Sequence, residues 1–258
     1  MQALLLAAGR GTRLKKLSSS WPKCLMPINH IPLLEYWIFD LVQLGVNKIY
    51  INVSYLADEV IFFLKNNKYK KKIFIFREDK LLGTAGTIKA LSNKLLDDTT
   101  IIVHSDNFCI CNFNDFIDTH KKRQNSIEIT MMTFETDNPK NCGIVVTDKK
   151  NIVREFYEKS DYNHGNLANA AIYVVEPSVI QWISEKKNIF DFSADVIPNF
   201  MKKIVTWKNS DKLVDIGTPN RLYACQNYIH KLTNSEQTQQ WIEYFSSKEI
   251  LKQVKKIT

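Results

Sequence analysis

Residues 1–14 read MQALLLAAGRGTRL, a short apolar run that passes directly into a loop with two glycines. An apolar run that stops at Gly is typical of a buried strand ending in a turn. Glycines at such a strand end let the backbone approach a phosphate closely, and successive N–H groups there can form an anion-binding nest. No basic region precedes the apolar run, which favours a first strand over a signal peptide.

Strand and helix patterns alternate through the next hundred residues. The segment 31–45 has apolar residues at helical spacing, with Pro32 near its start and Gly45 at its end. Strands are predicted at 48–54, 73–76 and 100–106, and helices at 56–67 and after the glycine turn at 83–86. This alternation predicts an α/β fold with a doubly wound, mostly parallel Rossmann-like sheet, whose ligands bind at the carboxyl ends of the strands.

The second half of the chain is richer in strands. Beyond residue 126 we expect strands that extend the first sheet, a small antiparallel lid, and helices near 177–186, 194–202 and 218–232. Residues 233–258 begin with polar and acidic residues and end in lysines, charges that favour the two ends of a helix dipole. The expected organisation is one domain at 1–232 followed by a C-terminal amphipathic helix at 233–258.

Composition limits the classes of partner and compartment. The chain has 258 residues, 45% of them hydrophobic, and a formal net charge of +8. The lysines are scattered and not interleaved with aromatic residues, so we expect no nucleic-acid partner. No apolar stretch is long enough for a membrane span. Five cysteines without CxxC spacing favour free thiols in the cytoplasm over a disulfide framework or a zinc site.

Two cations lie close to the glycine loop in sequence. Arg13 follows the second glycine of the loop, and Lys23 follows Pro22 about ten residues later. Fixed cations beside an anion nest suit a triphosphate, because they neutralise charge on a departing pyrophosphate. Two other phosphate loops are excluded: Leu14 occupies the position of the third Rossmann glycine, and the Gly-Lys-Ser/Thr of a Walker loop is absent.

The extended segment LLLAAGRGTRLKKLSSSWPKCLMPI resembles the N-terminal pattern of the sugar-1-phosphate nucleotidyltransferase family, LAAGxGTRLxxLTxxxPKxLxPI. Further resemblance comes from LGTAG at 82–86, NAAIY at 169–173 and DIGTP at 215–219. These blocks occur in the family's order and cover residues 1 to about 230. Members with LGTAG and an acid shortly before it resemble mannose- or heptose-1-phosphate guanylyltransferases. The resemblance implies a Rossmann-like enzyme that joins an NTP to a sugar 1-phosphate and releases pyrophosphate.

The resemblance also implies roles for individual residues. Arg13 and Lys23 would be catalytic, and Asp106 and Asp215 would hold Mg²⁺, the implied cofactor. Two carboxylates from distant segments suit a hard cation that bridges phosphate oxygens, although either Asp alone would also suit a turn or a helix cap. The implied nucleotide-binding residues are Ala8, Gly9, Gly11, Thr12, Glu78, Gly83 and Thr84. The implied sugar-phosphate-binding residues are Gly143, Glu158, Lys159 and Asn169.

Two positions depart from the family pattern. Ser105, preceded by His104, stands where the family has Gly before the metal-binding Asp, which puts the local geometry beside the metal in doubt. Ala171 stands where the family triplet NAG has its glycine, which indicates a change in substrate preference. His104 is expected to be structural, because displacement by an already ionised phosphate needs no general base.

Alternatives remain open for the base, the substrate and the assembly. An acid at position 78 could accept the N1–H and N2–H₂ of guanine, which favours GTP, while uridylyl or thymidylyl transfer remains an alternative. A cytidylyltransferase acting on a non-sugar phosphate would usually lack LGTAG. A non-catalytic nucleotide-sensing homologue would be expected to lose a metal-binding Asp or the loop Arg. The oligomeric state is left open, with a homodimer as one option.

Overall fold

The structure is a computed structural model of the chain and describes residues 1–228, 230, 232, 236–246 and 248–255. These residues form a mixed α/β fold with a nine-stranded central sheet and two small two-stranded antiparallel sheets. In chain order the strands are β1 (Gln2–Leu6), β2 (Pro27–Ile28), β3 (Ile31–Pro32), β4 (Ile49–Val53), β5 (Ile73–Arg77), β6 (Thr100–His104), β7 (Asn107–Ile110), β8 (Ile129–Glu135), β9 (Gly143–Thr147), β10 (Val153–Glu158), β11 (Leu167–Val175), β12 (Ile204–Lys208) and β13 (Lys212–Asp215).

The helices alternate with the strands in the first half of the chain and cluster near the end of the second. They are α1 (Lys16–Ser20), α2 (Leu33–Gln43), α3 (Ala57–Lys65), α4 (Thr84–Ala90), α5 (Ser92–Leu95), α6 (Phe113–Lys121), α7 (Pro177–Glu185), α8 (Ile197–Phe200), α9 (Pro219–Cys225), α10 (Glu236–Ser246) and α11 (Glu249–Lys255). In the part of the chain that the structure describes, no helix has the length and apolar character needed to cross a lipid bilayer.

Helix α2 shows how local sequence sets the bounds of an element. It begins directly after Pro32, and Leu33, Trp37 and Leu41, spaced four residues apart, are buried on one face. Gly45 has φ of +79°. Its N–H donates to the carbonyl of Val42 at 3.0 Å, and the next N–H, of Val46, donates to that of Leu41 at 3.0 Å. This pair of bonds is the Schellman motif, which a left-handed glycine closes at low cost.

The chain divides into two compact units, each assembled from separate segments. The first unit contains Met1–Leu4, Leu82–Val103 and Cys111–Asp211. The second unit contains Leu5–Leu81, His104–Ile110 and the described residues from Lys212 onward. Neither unit is a continuous stretch of sequence.

The second unit is built around a parallel strand pair. The residues of β4 are all buried, and β4 pairs with β5 in the register Ile49↔Ile73 to Val53↔Arg77. A separate antiparallel ribbon pairs β7 with β13 and sets Asn107 opposite Asp215. Helix α10 belongs to this unit, with Trp241 and Phe245 buried.

The first unit is built around β11. This strand pairs antiparallel with β6, β8 and β9, and β12 pairs parallel with β8. The β11–β8 register shifts between Asn169 and Tyr173, so β11 contains an irregularity at this point. Ala171, within the irregularity, has φ of +56°. Non-glycine residues adopt this left-handed conformation only at a cost in free energy.

The prediction of an α/β fold with a Rossmann-like, mostly parallel central sheet is confirmed, and antiparallel pairings within this sheet join β10 to β9 and β11 to β6, β8 and β9. Predicted helices at 31–45 and 56–67 correspond to α2 and α3, and the predicted strand at 73–76 corresponds to β5. Within 233–258 the structure describes two helices, α10 and α11. The division into a domain at 1–232 and a terminal helix stays a prediction.

Candidate active site

One lysine joins two carboxylates from distant parts of the sequence. Lys23, in a 3-10 turn that follows Pro22, is only 5% exposed. Its Nζ lies 2.7 Å from Asp106 Oδ2 and 3.0 Å from Asp215 Oδ1. All three residues belong to the second unit. Because a buried ammonium needs such partners, these contacts fix the position of both carboxylates.

The backbone holds the two aspartates together independently of Lys23. Asp106 immediately precedes β7, and Asp215 is the last residue of β13. The β7–β13 ribbon sets Asn107 opposite Asp215, and the N–H of Ile216 donates to the carbonyl of Asp106 at 3.2 Å. The convergence of the two carboxylates is therefore a property of the fold.

Arg13 is the second cation at this point of the molecule. Its Nη2 lies 3.1 Å from Asp215 Oδ2, while the side chain is 64% exposed. Gly217 leaves room for it: a Cβ at this position would lie 2.7 Å from Arg13 Nη2. The Gly217 N–H also donates to Asp215 Oδ1 at 2.8 Å. Arg221 is a further cation, outside the residues predicted from the sequence, and its Nη1 lies 3.8 Å from Asp215 Oδ2.

The charges around Asp106 favour its ionised form. Loss of hydration raises the pKa of this carboxyl, but the nearby charge and hydrogen bond of Lys23, together with His104, outweigh that effect and lower its pKa below the ordinary value. At neutral pH the carboxylate of Asp106 is available as an anionic ligand.

The donor set suits a hard divalent cation. Asp106 and Asp215 each place a carboxylate oxygen within 3.0 Å of the Lys23 ammonium, and Mg²⁺ binds through one or two carboxylates together with water and substrate phosphates. Within the described residues, no group of three or more His, Cys, Asp or Glu side chains has metal-binding geometry. A cation held by these two aspartates would therefore complete its coordination with phosphate oxygens and water.

The glycine loop runs beside Lys23. Gly11 has φ of +63°, and a Cβ there would lie 2.9 Å from Lys23 Cβ, so both conformation and space require glycine. Ala8 is buried, Gly9 is exposed, and Thr12 opens the 3-10 turn Thr12–Leu14. The loop that follows β1 thus lies against Lys23, the lysine that contacts both aspartates.

Glu78 is buried in the second unit and is held by an amide. It is 5% exposed, and its Oε1 accepts a hydrogen bond from Asn52 Nδ2 at 2.8 Å. Asn52 Oδ1 in turn accepts from the N–H of Ala7 at 2.7 Å. Asn52 lies outside every block that resembles the family pattern. A polar residue inside a fully buried strand is the signal that could have identified it.

Gly83 and Thr84 belong to the first unit. Gly83 has φ of +78°, and a Cβ there would lie 2.3 Å from the carbonyl oxygen of Phe190. Thr84 Oγ1 accepts from the N–H of Phe192 at 2.7 Å and lies 3.2 Å from Asp191 Oδ2. The glycine turn is therefore fixed against the segment 190–192.

Gly143, Glu158 and Lys159 lie together where β9 pairs with β10. Gly143 is directly opposite Glu158, and a Cβ at Gly143 would lie 2.8 Å from Glu158 Oε2. Lys159 Nζ lies 3.6 Å from Glu158 Oε1. Burial raises the pKa of Glu158, and the nearby negative charge of Asp191 adds to this, against the opposing effect of Lys159.

Asn169 is anchored on both sides of its amide. Its Nδ2 donates to the Tyr173 hydroxyl at 2.6 Å, and its Oδ1 accepts from the N–H of Ala171 at 2.9 Å. Tyr173 is fully buried. Tyr173 lies in the NAAIY block, but the resemblance implies no role for it, and Asp191 lies outside every block that resembles the family pattern.

The cysteines are free thiols, as the sequence predicts. Burial raises the pKa of Cys24 and of Cys225 to about 12. Thiols of this kind are not ionised at neutral pH and do not act as nucleophiles.

Comparison with known proteins adds an independent line of evidence. The family model described as nucleotidyl transferase matches residues 2–231. A mannose-1-phosphate guanyltransferase from Debaryomyces hansenii is 32% identical over 226 residues, covering 85% of this chain and 62% of that protein. A UTP--glucose-1-phosphate uridylyltransferase from Synechocystis is 29% identical over 233 residues, covering 85% of this chain and 56% of that protein. The chain therefore spans about three fifths of the length of these curated relatives.

A solved structure shares the fold. The crystal structure of a candidate glucose-1-phosphate thymidylyltransferase from Bacillus anthracis matches with a TM-score of 0.82 at 18% identity, covering 93% of this chain and 99% of that one. The family match extends over nearly the whole described chain and includes the glycine loop, both cations and both aspartates. The chain belongs to the nucleotidyl transferase family.

Proposed function

We propose that this chain transfers a nucleotidyl group from an NTP to a sugar 1-phosphate, with GTP as the preferred donor. The observation that carries the proposal is the meeting of Lys23 and Arg13 with Asp106 and Asp215 beside the glycine loop. Phosphoryl chemistry needs little beyond positioning and charge stabilisation, and this group of residues supplies both. The family assignment supports the same reaction class.

In the proposed reaction, an oxygen of the sugar 1-phosphate attacks the α-phosphorus of the NTP. The bond from that phosphorus to the oxygen bridging the β-phosphate breaks, and pyrophosphate leaves in line with the attack. Lys23 is assigned to the α-phosphate, and Arg13 to the charge that develops on the leaving pyrophosphate. The backbone from Ala8 to Thr12 is assigned to the phosphates of the NTP. No covalent intermediate on the enzyme is required.

Asp106 and Asp215 are the residues that would hold Mg²⁺. A bound Mg²⁺ would neutralise phosphate charge and orient the triphosphate. The carboxylates themselves also orient Lys23 and Arg13 through the ion pairs described above. Losing either Asp would therefore remove a proposed metal ligand and also one ion-pair partner of Lys23.

The sugar phosphate is assigned to residues of the first unit. Glu158 and Asn169 would accept and donate hydrogen bonds to sugar hydroxyls, and the exposed ammonium of Lys159 would bind the phosphate. Gly143 leaves space directly beside the Glu158 carboxylate. The buried Tyr173 holds the Asn169 amide, so this polar group is preorganised for recognition.

Guanine is the proposed base. The buried Glu78 offers carboxylate oxygens, which suit the N1–H and N2–H₂ donors of guanine, and Gly83 and Thr84 are assigned to the same nucleotide. Relatives named as mannose-1-phosphate guanyltransferases support GTP and a mannose-type sugar. The Synechocystis relative is named for UTP, so uridylyl transfer is the principal alternative.

Other classes of function fit the site less well. A non-catalytic nucleotide sensor would have no need for both aspartates and both cations. A cytidylyltransferase acting on phosphocholine would usually lack the LGTAG block that this chain has at 82–86. The free thiols fit a reducing compartment, and a cytoplasmic location is part of the proposal.

The test is a pyrophosphate-release assay on variants of the two aspartates. Asp106→Asn and Asp215→Asn should each lower kcat by about 10²-fold or more, since each removes one charge from the assembly that stabilises the transition state. Asp148→Asn is the matched control, because Asp148 also pairs with an arginine, Arg154, but has no part in the proposed site. Wild-type kcat in both site variants would refute the assignment.

A further inference from the structure

A single buried amide connects the start of the glycine loop with the carboxylate assigned to the base. Asn52 lies in β4 and is 3% exposed. Its Oδ1 accepts from the Ala7 N–H at 2.7 Å, and its Nδ2 donates to Glu78 Oε1 at 2.8 Å. The three residues all belong to the second unit. The two ends of one side chain thus hold two separate nucleotide-binding segments.

The strand that carries Asn52 also fixes Glu78 through the backbone. The N–H of Glu78 donates to the carbonyl of Val53, the residue after Asn52, at 2.8 Å. The main chain at Glu78 is therefore anchored to β4, and the Asn52 amide orients the carboxylate. Ala7 directly precedes Ala8, the first residue assigned to the phosphates. Groups held by a rigid buried strand keep the geometry that recognition requires.

The chemistry at position 52 requires an amide. The Ala7 N–H needs an acceptor, while the Glu78 carboxylate needs a donor, and asparagine supplies both on one planar group. An aspartate would still accept from Ala7 but would set a second carboxylate against Glu78. A leucine would remove both of the hydrogen bonds that the side chain at position 52 makes. Only a residue with an acceptor and a donor of this size satisfies both contacts.

We propose that Asn52 is a positioning residue that aligns the phosphate-binding loop with the base-reading carboxylate of Glu78 and thereby sets base selection. The inference rests on the proposed function, because Glu78 is assigned to the base there. Direct contact of Asn52 with phosphate or base is not part of the proposal. Its effect passes through the two segments that it holds.

The first experiment measures base selection in Asn52→Asp. The values of kcat/KM for GTP and for UTP are determined by pyrophosphate release with mannose 1-phosphate. The variant should lose about 10-fold or more in kcat/KM for GTP, and its GTP/UTP selectivity should fall by a similar factor, since the acceptors for guanine are no longer held in place. Circular dichroism and a melting curve establish that the variant is folded.

A double variant restores a hydrogen bond between positions 52 and 78 with the donor and the acceptor exchanged. In the double variant Asn52→Asp with Glu78→Gln, the Gln amide can donate to the new carboxylate, which still accepts from Ala7. The double variant should be about 10-fold more active with UTP than Asn52→Asp, as residues that act as a coupled pair are not additive. A residue that served only to fill the core would show no such rescue.

Asn67→Asp is the matched control. Asn67 is another buried asparagine of the second unit, and its amide donates to the carboxylate of the buried Glu35. The substitution creates the same pair of facing carboxylates away from the nucleotide-binding segments. Both variants should melt at a lower temperature than wild type, but only Asn52→Asp should change the GTP/UTP ratio.

The outcomes separate this inference from the proposed function. An active wild type with an unchanged GTP/UTP ratio in a folded Asn52→Asp overturns the role of Asn52 only. If wild type releases no pyrophosphate, the proposed function fails, and the inference is then tested by binding. The dissociation constants of GTP and UTP are measured for wild type and for Asn52→Asp. An unchanged preference for GTP over UTP in the variant overturns the inference, and a reduced preference supports it. If Asn52→Asp does not fold, identical selectivity in the double variant and in Glu78→Gln overturns it.

Discussion

Lys23 shows how one residue organises charge that the sequence scatters widely. Its ammonium binds carboxylates 83 and 192 residues away along the chain. A buried lysine is costly unless it is paired, so removing either carboxylate would destabilise the fold. Gly11 packs beside the side chain of Lys23, so the glycine loop is held at this point. Substitutions here are expected to affect folding and activity together.

Arg13 allows a cleaner separation of activity from stability. Its side chain is 64% exposed, and an exposed ion pair contributes little to folding. Arg13→Ala should therefore leave the melting temperature near the wild-type value. It should lower kcat by about 10²-fold and raise the KM for NTP by less, because Arg13 is assigned to charge that develops as pyrophosphate leaves.

Steady-state kinetics and a melting curve check both parts of this expectation. Arg154→Ala is the control, since Arg154 also pairs with an aspartate but lies in the first unit, outside the residues assigned to substrates. A rise in KM with unchanged kcat would mean that Arg13 only helps the ground state to bind.

At the residue scale, the sequence predicts the charged centre and misses its supports. Arg13, Lys23 and Asp215 fall in blocks with recognisable patterns, Asp106 ends a predicted strand, and the structure brings all four together. Asn52 lies in a strand of buried residues that carries no motif. Its role depends on contacts with residues 45 and 26 positions away, which local patterns do not encode.

At the scale of elements, the irregularity in β11 is the clearest departure from regular structure. Ala171 has φ of +56°, and its N–H bonds the side chain of Asn169. Ala171→Gly should raise the free energy of unfolding by about 1 kcal/mol, because glycine adopts the left-handed region without the steric cost that an alanine incurs. Urea denaturation measures the change.

Ala168→Gly supplies the comparison in the same strand. Ala168 is fully buried and is paired with Ile144 in β9. Glycine there should lower stability by about 1 kcal/mol through backbone entropy. A similar loss in Ala171→Gly would show that position 171 is not strained.

Helix α10 supports the turn that carries Lys23. Phe245 is fully buried and lies edge-on to Trp21, with the two ring centroids 5.8 Å apart. Trp21 Nε1 in turn donates to the carbonyl of Leu25 at 2.9 Å. Phe245→Ala should cost about 3–5 kcal/mol of stability, as truncation of a buried aromatic leaves a cavity. It should also lower kcat, because the turn Lys23–Leu25 loses the packing of Phe245 against Trp21.

Denaturation and pyrophosphate release test the two effects of Phe245→Ala. The exposed neighbour Glu243 provides the control, since Glu243→Ala should change stability by less than about 0.5 kcal/mol. A Phe245→Ala variant as stable as this control would show that α10 does not support the turn.

The elements themselves are predicted well where periodicity is strong. Helix α2 and strand β5 match the expected positions closely. The ribbon of β2 and β3 was missed, because its turn uses Asn29 and His30, with φ of +48° and +66°, in place of the usual Asn-Gly. Helix α2 consequently begins at Leu33, after Pro32 has completed β3.

At the scale of the whole molecule, each unit is assembled from segments that are separate in sequence. The first unit combines Leu82–Val103 with Cys111–Asp211. The segment that lies between these two in sequence, His104–Ile110, belongs to the second unit. The fold class follows from the alternation of strands and helices, whereas this interleaving depends on non-local pairing that no window of sequence contains. Residues assigned to the metal and triphosphate fall in the second unit, and those assigned to the sugar phosphate fall in the first.

The central claim is that the chain joins an NTP to a sugar 1-phosphate. The direct test measures pyrophosphate release for GTP, UTP, dTTP and CTP, each with mannose 1-phosphate, glucose 1-phosphate and phosphocholine, with and without Mg²⁺. We predict release that needs both a sugar 1-phosphate and Mg²⁺, with the highest kcat/KM for GTP and a nucleotide-diphosphate sugar as the second product. Absence of release with every sugar 1-phosphate, or release with CTP and phosphocholine alone, would contradict the claim.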